Sequence, residues 1–436
     1  MGAGNGPVRR RLSAGTVFML VLLAVVLGGT ALVFSRLSSG AQVDLSKLSM
    51  NVLDLQKDPA REAETDTEEV KRDAGTQPIR KKEAEAEKQT AVRPKEDEGY
   101  TLTLGGSISL SGEVRKNSRS TDAKVADYAD VMMLLAPQIH SDINIVFFEN
   151  ILSDGHKAND NVAPGQAATL LQEAGFDTAA CGFSQAYACG KTGVEATLMT
   201  LDKRGITAAG IRYADDPGRP AARTVKGIKT VILQYTATVP AKTRKAMEKD
   251  GAGTMIPEAE LSQITEDISL SRQEGAEAVI VLLNWGKTGK EPDRTQRELA
   301  EGIAAAGADL IVGNGSHTPQ TAEYLTGKDG RSVLCIWSLG TLLSGDRGNV
   351  KRMSGYLLHV NIRSNGQGGV RVLNPEYTPV YTWKYKQDSR FYYRCIASDG
   401  EAPDGMDSEQ RKTMTKAAET VEAVLKDAPL SKRGAD

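Results

Sequence analysis

The sequence predicts an α/β domain of mainly parallel strands, preceded by a membrane-spanning helix, and three observations carry that reading. The stretch Ala278 to Gln320 reads as strand, helix, strand. Short β-branched runs alternate with helical spacing over the preceding residues, from Ile143 onward. An uncharged run, Ala14 to Phe34, lies near the start of the chain. In the first, Ala278 to Leu283 is short and apolar enough for a strand buried on both faces. Asp293 and Gln296 have the spacing of a capping box, Leu299, Ile303 and Ala306 share one helical face, and Gly307 stops the helix. Asp309 to Val312 is the second strand, so the unit is a right-handed parallel crossover whose strands end on one edge. Sites in open α/β sheets lie beyond that edge. Asn284, Asn314 and His317 emerge there.

The 436 residues, 40% hydrophobic, suffice for a sizeable core, and a net charge of −2 gives no general basic field for nucleic acid. Cys181, Cys189, Cys335 and Cys395 match no metal-ribbon or redox spacing. Cys335 falls inside an apolar run and reads as a buried thiol.

Five segments are expected. Residues 1–13 form a cytoplasmic N-terminus, since Arg9, Arg10 and Arg11 precede the apolar run. Residues 14–35 are a transmembrane anchor of about the 20 residues a bilayer needs; a cleaved signal peptide ending near Gly29-Thr30-Ala31 is the alternative. Residues 36–98 are too charged to bury a core and read as a disordered tether reaching about 45 Å. Residues 99–386 are the folded domain, placed outside the cell by the anchor, and 387–436 a C-terminal extension with a helix over 408–426 capped by Asp407.

Within the domain, Tyr100 opens a short strand that leads into a glycine-containing turn, with Ser107 just beyond Gly106, and a helix bearing Val125, Ala129, Met132 and Met133 follows. Ile143 to Phe148 is a buried strand ending at Glu149. Then come a polar loop (153–163), a helix over 164–174, strands over 176–181 and 206–211 on either side of a helix bearing Val194, Leu198 and Leu201, and one or two strands over 225–236 broken at Gly227. A helix over 257–274 leads into Ala278. Later strands near 333–337, 356–362 and 369–373 read as antiparallel, with a turn at Asn365-Gly366.

The polar groups at these strand ends resemble, in order and spacing, the CapA-type proteins of capsule and poly-γ-glutamate synthesis. That family reads roughly G-D-[IV], N-L-E, N-N-H, H-W-G, G-H-x-P-H-x-x-Q and S-L-G-N. Here the text is Gly106-Ser107-Ile108, Phe147-Phe148-Glu149, Phe183-Ser184-Gln185, Asn284-Trp285-Gly286, Gly313-Asn314 through His317 and Gln320, and Ser338-Leu339-Gly340-Thr341. The resemblance covers residues 100–381. It implies a calcineurin-like metallophosphoesterase-type sandwich of two sheets flanked by helices.

The resemblance also marks where the chemistry departs. Ser107 stands for the family's aspartate, and Gln185, Asn284 and Asn314 stand for histidines, while Glu149 and His317 match. One carboxylate and one imidazole cannot offset two adjacent divalent cations. No metal centre or cofactor is therefore expected, with a single weakly bound divalent cation as the alternative. Glu149 and His317 are the catalytic candidates if the site is active. Ser107, Gln185, Asn284, Trp285, Asn314 and Gln320 are candidates for ligand binding. The implied partners are the membrane, an integral-membrane polymer synthase or exporter, and an anionic cell-surface polymer.

Overall fold

The computed structural model describes residues 95–117, 128–216, 220–387 and 389–434. The expected anchor and all but residues 95–98 of the tether lie outside them. Among the described residues no helix is long and apolar enough to cross a membrane.

In chain order, β1 (Gly99–Ile108) leads into α1 (Gly112–Asn117) and β2 (Ile143–Phe148). The short pair β3 (Ile151–Leu152) and β4 (Val162–Ala163) precedes α2 (Thr169–Ala174), β5 (Thr178–Ala180), α3 (Gly190–Asp202) and β6 (Thr207–Ala209). The hairpin β7 (Ala221–Val225) and β8 (Ile228–Thr236) is followed by α4 (Ala241–Lys249), α5 (Leu261–Gln273), β9 (Ala278–Asn284), α6 (Arg294–Ala306) and β10 (Leu310–Asn314). The chain closes with β11 (Ala322–Thr326), β12 (Ser332–Ile336), β13 (Thr341–Leu343), β14 (Ser354–Ser364), β15 (Val370–Gln387), β16 (Arg390–Ala397), α7 (Ser408–Leu425) and β17 (Ser431–Lys432).

These strands make two large sheets. The first runs β16-β15-β14-β1-β2-β5-β6, with β13 also on β1 and β17 on β15. The second runs β11-β12-β10-β9-β8-β7. In the first, β1, β2, β5 and β6 are parallel; in the second, β8, β9, β10 and β12 are. Leu102, Leu104 and Ile145 of one sheet share a buried core with Ile232, Ile280 and Val312 of the other, so the sheets pack face to face. A second core lies under α2 and α3 on the outer face of the first sheet, and a third lies under α5 and α6 on the second. The result is helices, sheet, sheet, helices.

The organising crossover forms as its sequence dictates. Gln296 N donates to Asp293 Oδ1 (3.0 Å) and Asp293 N to Gln296 Oε1 (3.2 Å), which closes the capping box of α6, and Gly307 ends the helix at φ 111°. β9 and β10 then pair in parallel register, Asn284 against Asn314.

Four expectations are corrected, and one helix was missed. β1 runs on through Gly105 and Gly106 to Ile108 instead of turning there. Residues 129–131 and 136–138 are short 3₁₀ turns, not a helix carrying Met132 and Met133, and Met133 is 59% exposed; Val125 of the same expectation lies outside the described residues. β12 is antiparallel only to β11 and runs parallel to β10. α4, which has just one buried residue, Met247, escaped a reading based on apolar spacing. The boundary at 387 fails, because β16 pairs with β15 along its length, β17 adds to the same strand, and α7 buries Met414, Ala417 and Val421. The last 50 residues complete the first sheet rather than extend from it.

His359 of β14 shows how that completion is sealed. It is 6% exposed and lies between Thr103 Oγ1 (3.0 Å from Nδ1) and Thr378 Oγ1 (3.2 Å from Nε2), and Arg433 donates to Nδ1 at 2.7 Å. Burial, then the charges of Arg433 and His140, pushes its pKa down to about 3. The unfolded chain takes up this proton near pH 6.5 and the folded chain only near 3. Stability contributed by neutral His359 is therefore complete above about pH 6.5 and falls with pH through that window, by up to about 1.4 kcal/mol per unit. His359→Gln should flatten the decline in urea midpoint between pH 7 and pH 4; an unchanged slope would assign the acid sensitivity to other groups.

Candidate functional site

Parallel pairing decides what meets at the carboxyl edge. β1 and β2 deliver Ser107 and Glu149, and β9 and β10 deliver Asn284 and Asn314 from the facing sheet. All four are at least nine-tenths buried. Ser107 Oγ donates to Glu149 Oε1 at 2.9 Å, and Asn284 Nδ2 donates to the same oxygen at 3.2 Å. Asn314 Nδ2 donates to Ser107 Oγ at 2.6 Å while its Oδ1 accepts from Ser338 Oγ at 3.1 Å. The directions are fixed by counting protons. Ser107 has one hydroxyl hydrogen and gives it to the carboxylate, so Asn314 presents its NH₂ group.

The second carboxylate oxygen, Glu149 Oε2, faces His317 Nε2 at 3.6 Å. The His317 side chain is 33% exposed and stands at the mouth of the site. Its backbone holds a left-handed φ of 54°, between Gly315 at 115° and a carbonyl that accepts from Thr341 Oγ1 at 3.1 Å.

The remaining candidates separate. Gln185 is half-buried after β5 and makes no side-chain hydrogen bond to this network. Trp285 is 1% exposed, its ring stacks on Trp337 at 5.4 Å, and its Nε1 donates to the Trp337 carbonyl at 3.0 Å. It offers no open face for stacking on a ligand. The absent side chain of Gly313 lets it pack there, since a Cβ would come within 2.1 Å of Trp285 Nε1. Gln320 is a clamp: side-chain Nε2 donates to the Lys290 carbonyl at 2.6 Å, and its backbone carbonyl accepts from the Tyr356 hydroxyl at 3.1 Å. The polar loop after β2 is likewise organised, with Asn150 Oδ1 accepting from Leu110 N (2.7 Å) and Asp160 Oδ1 from Gly112 N (2.8 Å).

One contributor and one buried neighbour were missed in sequence. Ser338 closes the network around Asn314. Thr236 lies opposite Asn284 in the β8–β9 register, fully buried, and its Oγ1 has no partner. The signal was available, because Thr236 ends β8 as Asn284 ends β9.

A dinuclear metal centre does not fit this donor set. Asn284 and Asn314 turn NH₂ groups inward, Ser107 is a neutral hydroxyl already engaged, and the one carboxylate supplies one negative charge where two divalent cations need several. No group of three His, Cys, Asp or Glu side chains with metal-binding geometry occurs among the described residues.

Residues 101–346, more than half of the chain, match the family model described as Bacterial capsule synthesis protein PGA_cap. The chain belongs to this family. It is 25% identical over 288 residues to the Capsule biosynthesis protein CapA of Bacillus anthracis, covering 63% of this chain and 67% of that one. It is 24% identical over 210 residues to the PGA biosynthesis protein CapA of Bacillus subtilis (strain 168), covering 48% and 52%. The match thus spans about two thirds and about half of these relatives. Among solved structures, the calcineurin-like phosphoesterase YfkN of Bacillus subtilis aligns over 75% of this chain and 99% of its own, at 12% identity and a TM-score of 0.39.

Asn314→Ala should remove two hydrogen bonds from buried partners and lower the unfolding free energy by about 2 kcal/mol. Gln185→Ala, outside the network, should stay within about 0.5 kcal/mol of the parent chain. Urea unfolding of both variants checks the assignment; equal losses would refute it.

Proposed function

We propose that this chain serves capsule, poly-γ-glutamate or related cell-surface polymer biosynthesis or export as a membrane-anchored, extracellular binding or scaffolding domain without metal-dependent catalysis. Family membership supports the broad role. The observation that carries the finer reading is the closed network around Glu149. At the positions where the family pattern has metal ligands, neutral side chains satisfy one another and one carboxylate. Such a site holds its shape without a cation. The N-terminal apolar run supplies the anchor, and tethering would concentrate the domain beside an integral-membrane synthase or exporter.

A second reading, an altered hydrolase or transferase, rests on the 3.6 Å approach of His317 to Glu149. There the pair would exchange a proton with a substrate at the mouth.

Elemental mass spectrometry on the full chain, purified without chelator, tests the first reading, which requires that the Glu149 site hold no metal. We expect Mn, Fe and Zn well below one equivalent, unchanged in Glu149→Ala, His317→Ala. Stoichiometric metal that disappears in the double variant would overturn the proposal and place a metal site at Glu149 and His317.

A further inference from the structure

Beyond the Glu149 pocket, the described residues hold one cation whose environment is anomalous. Arg347 follows β13 in a loop packed on the start of α1, with Gly345 against Ser111 and Val114. It is half-buried. Its Nη1 and Nη2 donate to the carbonyls of Asp346 (2.8 Å) and Ser344 (3.0 Å), both in its own loop, and its covered Nε has no partner. No carboxylate pairs with it. The adjacent Asp346 is taken by Arg352 at 2.7 Å. Buried charges are ordinarily paired, because an unpaired one costs several kcal/mol of lost hydration. Burial pushes the Arg347 pKa down, as expected of a cation short of a counter-charge.

Tyr393 links Arg347 to a second cation. The guanidinium carbon lies 5.1 Å from the Tyr393 ring centroid, and Lys384, paired with Tyr393 across β15 and β16, places its Nζ 5.5 Å from the same ring. Lys384 also contacts Glu113 Oε1 at 2.6 Å. The Tyr393 hydroxyl is buried without a hydrogen bond of good geometry, although Lys384 and Glu113 are near enough to influence its titration. Lys384 thus has one carboxylate partner, itself 51% exposed, and Arg347 has none.

The cluster lies on the functional edge. β14 is antiparallel to β1 and β15 to β14, so the last residues of β15 and the first of β16 stand at the end of the sheet where Ser107 emerges. We infer that Arg347 and Lys384, flanking Tyr393, form a subsite for an oxyanion, a carboxylate or a phosphate, on the rim outside the Glu149 pocket. With Nε covered, the guanidinium offers the Nη hydrogens not given to the Asp346 and Ser344 carbonyls, and the ammonium offers a point charge. Glu113 competes with the ligand for Lys384.

Thermal unfolding of the full chain in sodium phosphate, and separately in sodium glutarate, tests this against sodium chloride at equal ionic strength. At least one anion should raise the midpoint in a saturable way, and which one does so identifies the preferred oxyanion. Arg347→Met should weaken that anion about ten-fold or more, the scale of one charge-assisted hydrogen bond. It should also melt no lower than the parent chain in chloride, because the apolar side chain removes an unpaired charge. Glu113→Gln should tighten the anion by freeing Lys384, and it decides the matter if Arg347→Met does not fold. Chloride matching both anions, an undiminished shift in Arg347→Met, or no tightening in Glu113→Gln would overturn the subsite. Metal content bears only on the Glu149 pocket, so the two proposals fail separately.

Discussion

The carboxylate of Glu149 is the constraint around which the carboxyl edge is arranged. It sits where two face-to-face sheets bring their parallel strands to a common end, 8% exposed. A charge at that depth needs donors, and it draws them from both layers: Ser107 from its own sheet and Asn284 from the other. Asn314 and Ser338 extend the chain of donors across the second sheet. The polar network thereby joins the layers at one end, while aliphatic packing joins them through the middle.

Charge arithmetic separates this arrangement from a metal centre of the same geometry. A binuclear site gathers anionic and imidazole ligands to balance its cations. Here one negative charge is distributed over neutral dipoles, with one imidazole at the solvent side. Family membership and similarity of frame say nothing by themselves about which chemistry persists on a fold.

The parallel core was legible because its signals are local and redundant. β-branched runs, the Asp293–Gln296 box and Gly307 all point to one crossover, and Asn284 and Asn314 follow as its strand ends. The Glu149–His317 approach was suggested by motif order alone. Trp285 could not be read, because its role depends on the vacant Cβ position of Gly313 and on Trp337, 52 residues away. The last 50 residues were misjudged for a related reason: β16 and β17 gain their meaning from pairing with β15, and charged strand segments such as 384–387 and 390–394 carry little apolar alternation. α4 buries too little to announce itself.

The placement of β1 between β2 and β14 bears on the order in which the domain can assemble. β1 begins at Gly99, yet one of its neighbours is formed by residues 354–364, with Thr101 opposite Asn361. A chain emerging from its N-terminus can pair β1 with β2 early and must leave the other edge of β1 open until most of the domain has appeared. Joining such distant segments is entropically slow. During that interval the exposed backbone of β1 is a template for another strand, so nascent copies are at their most prone to mispairing before residue 354 arrives.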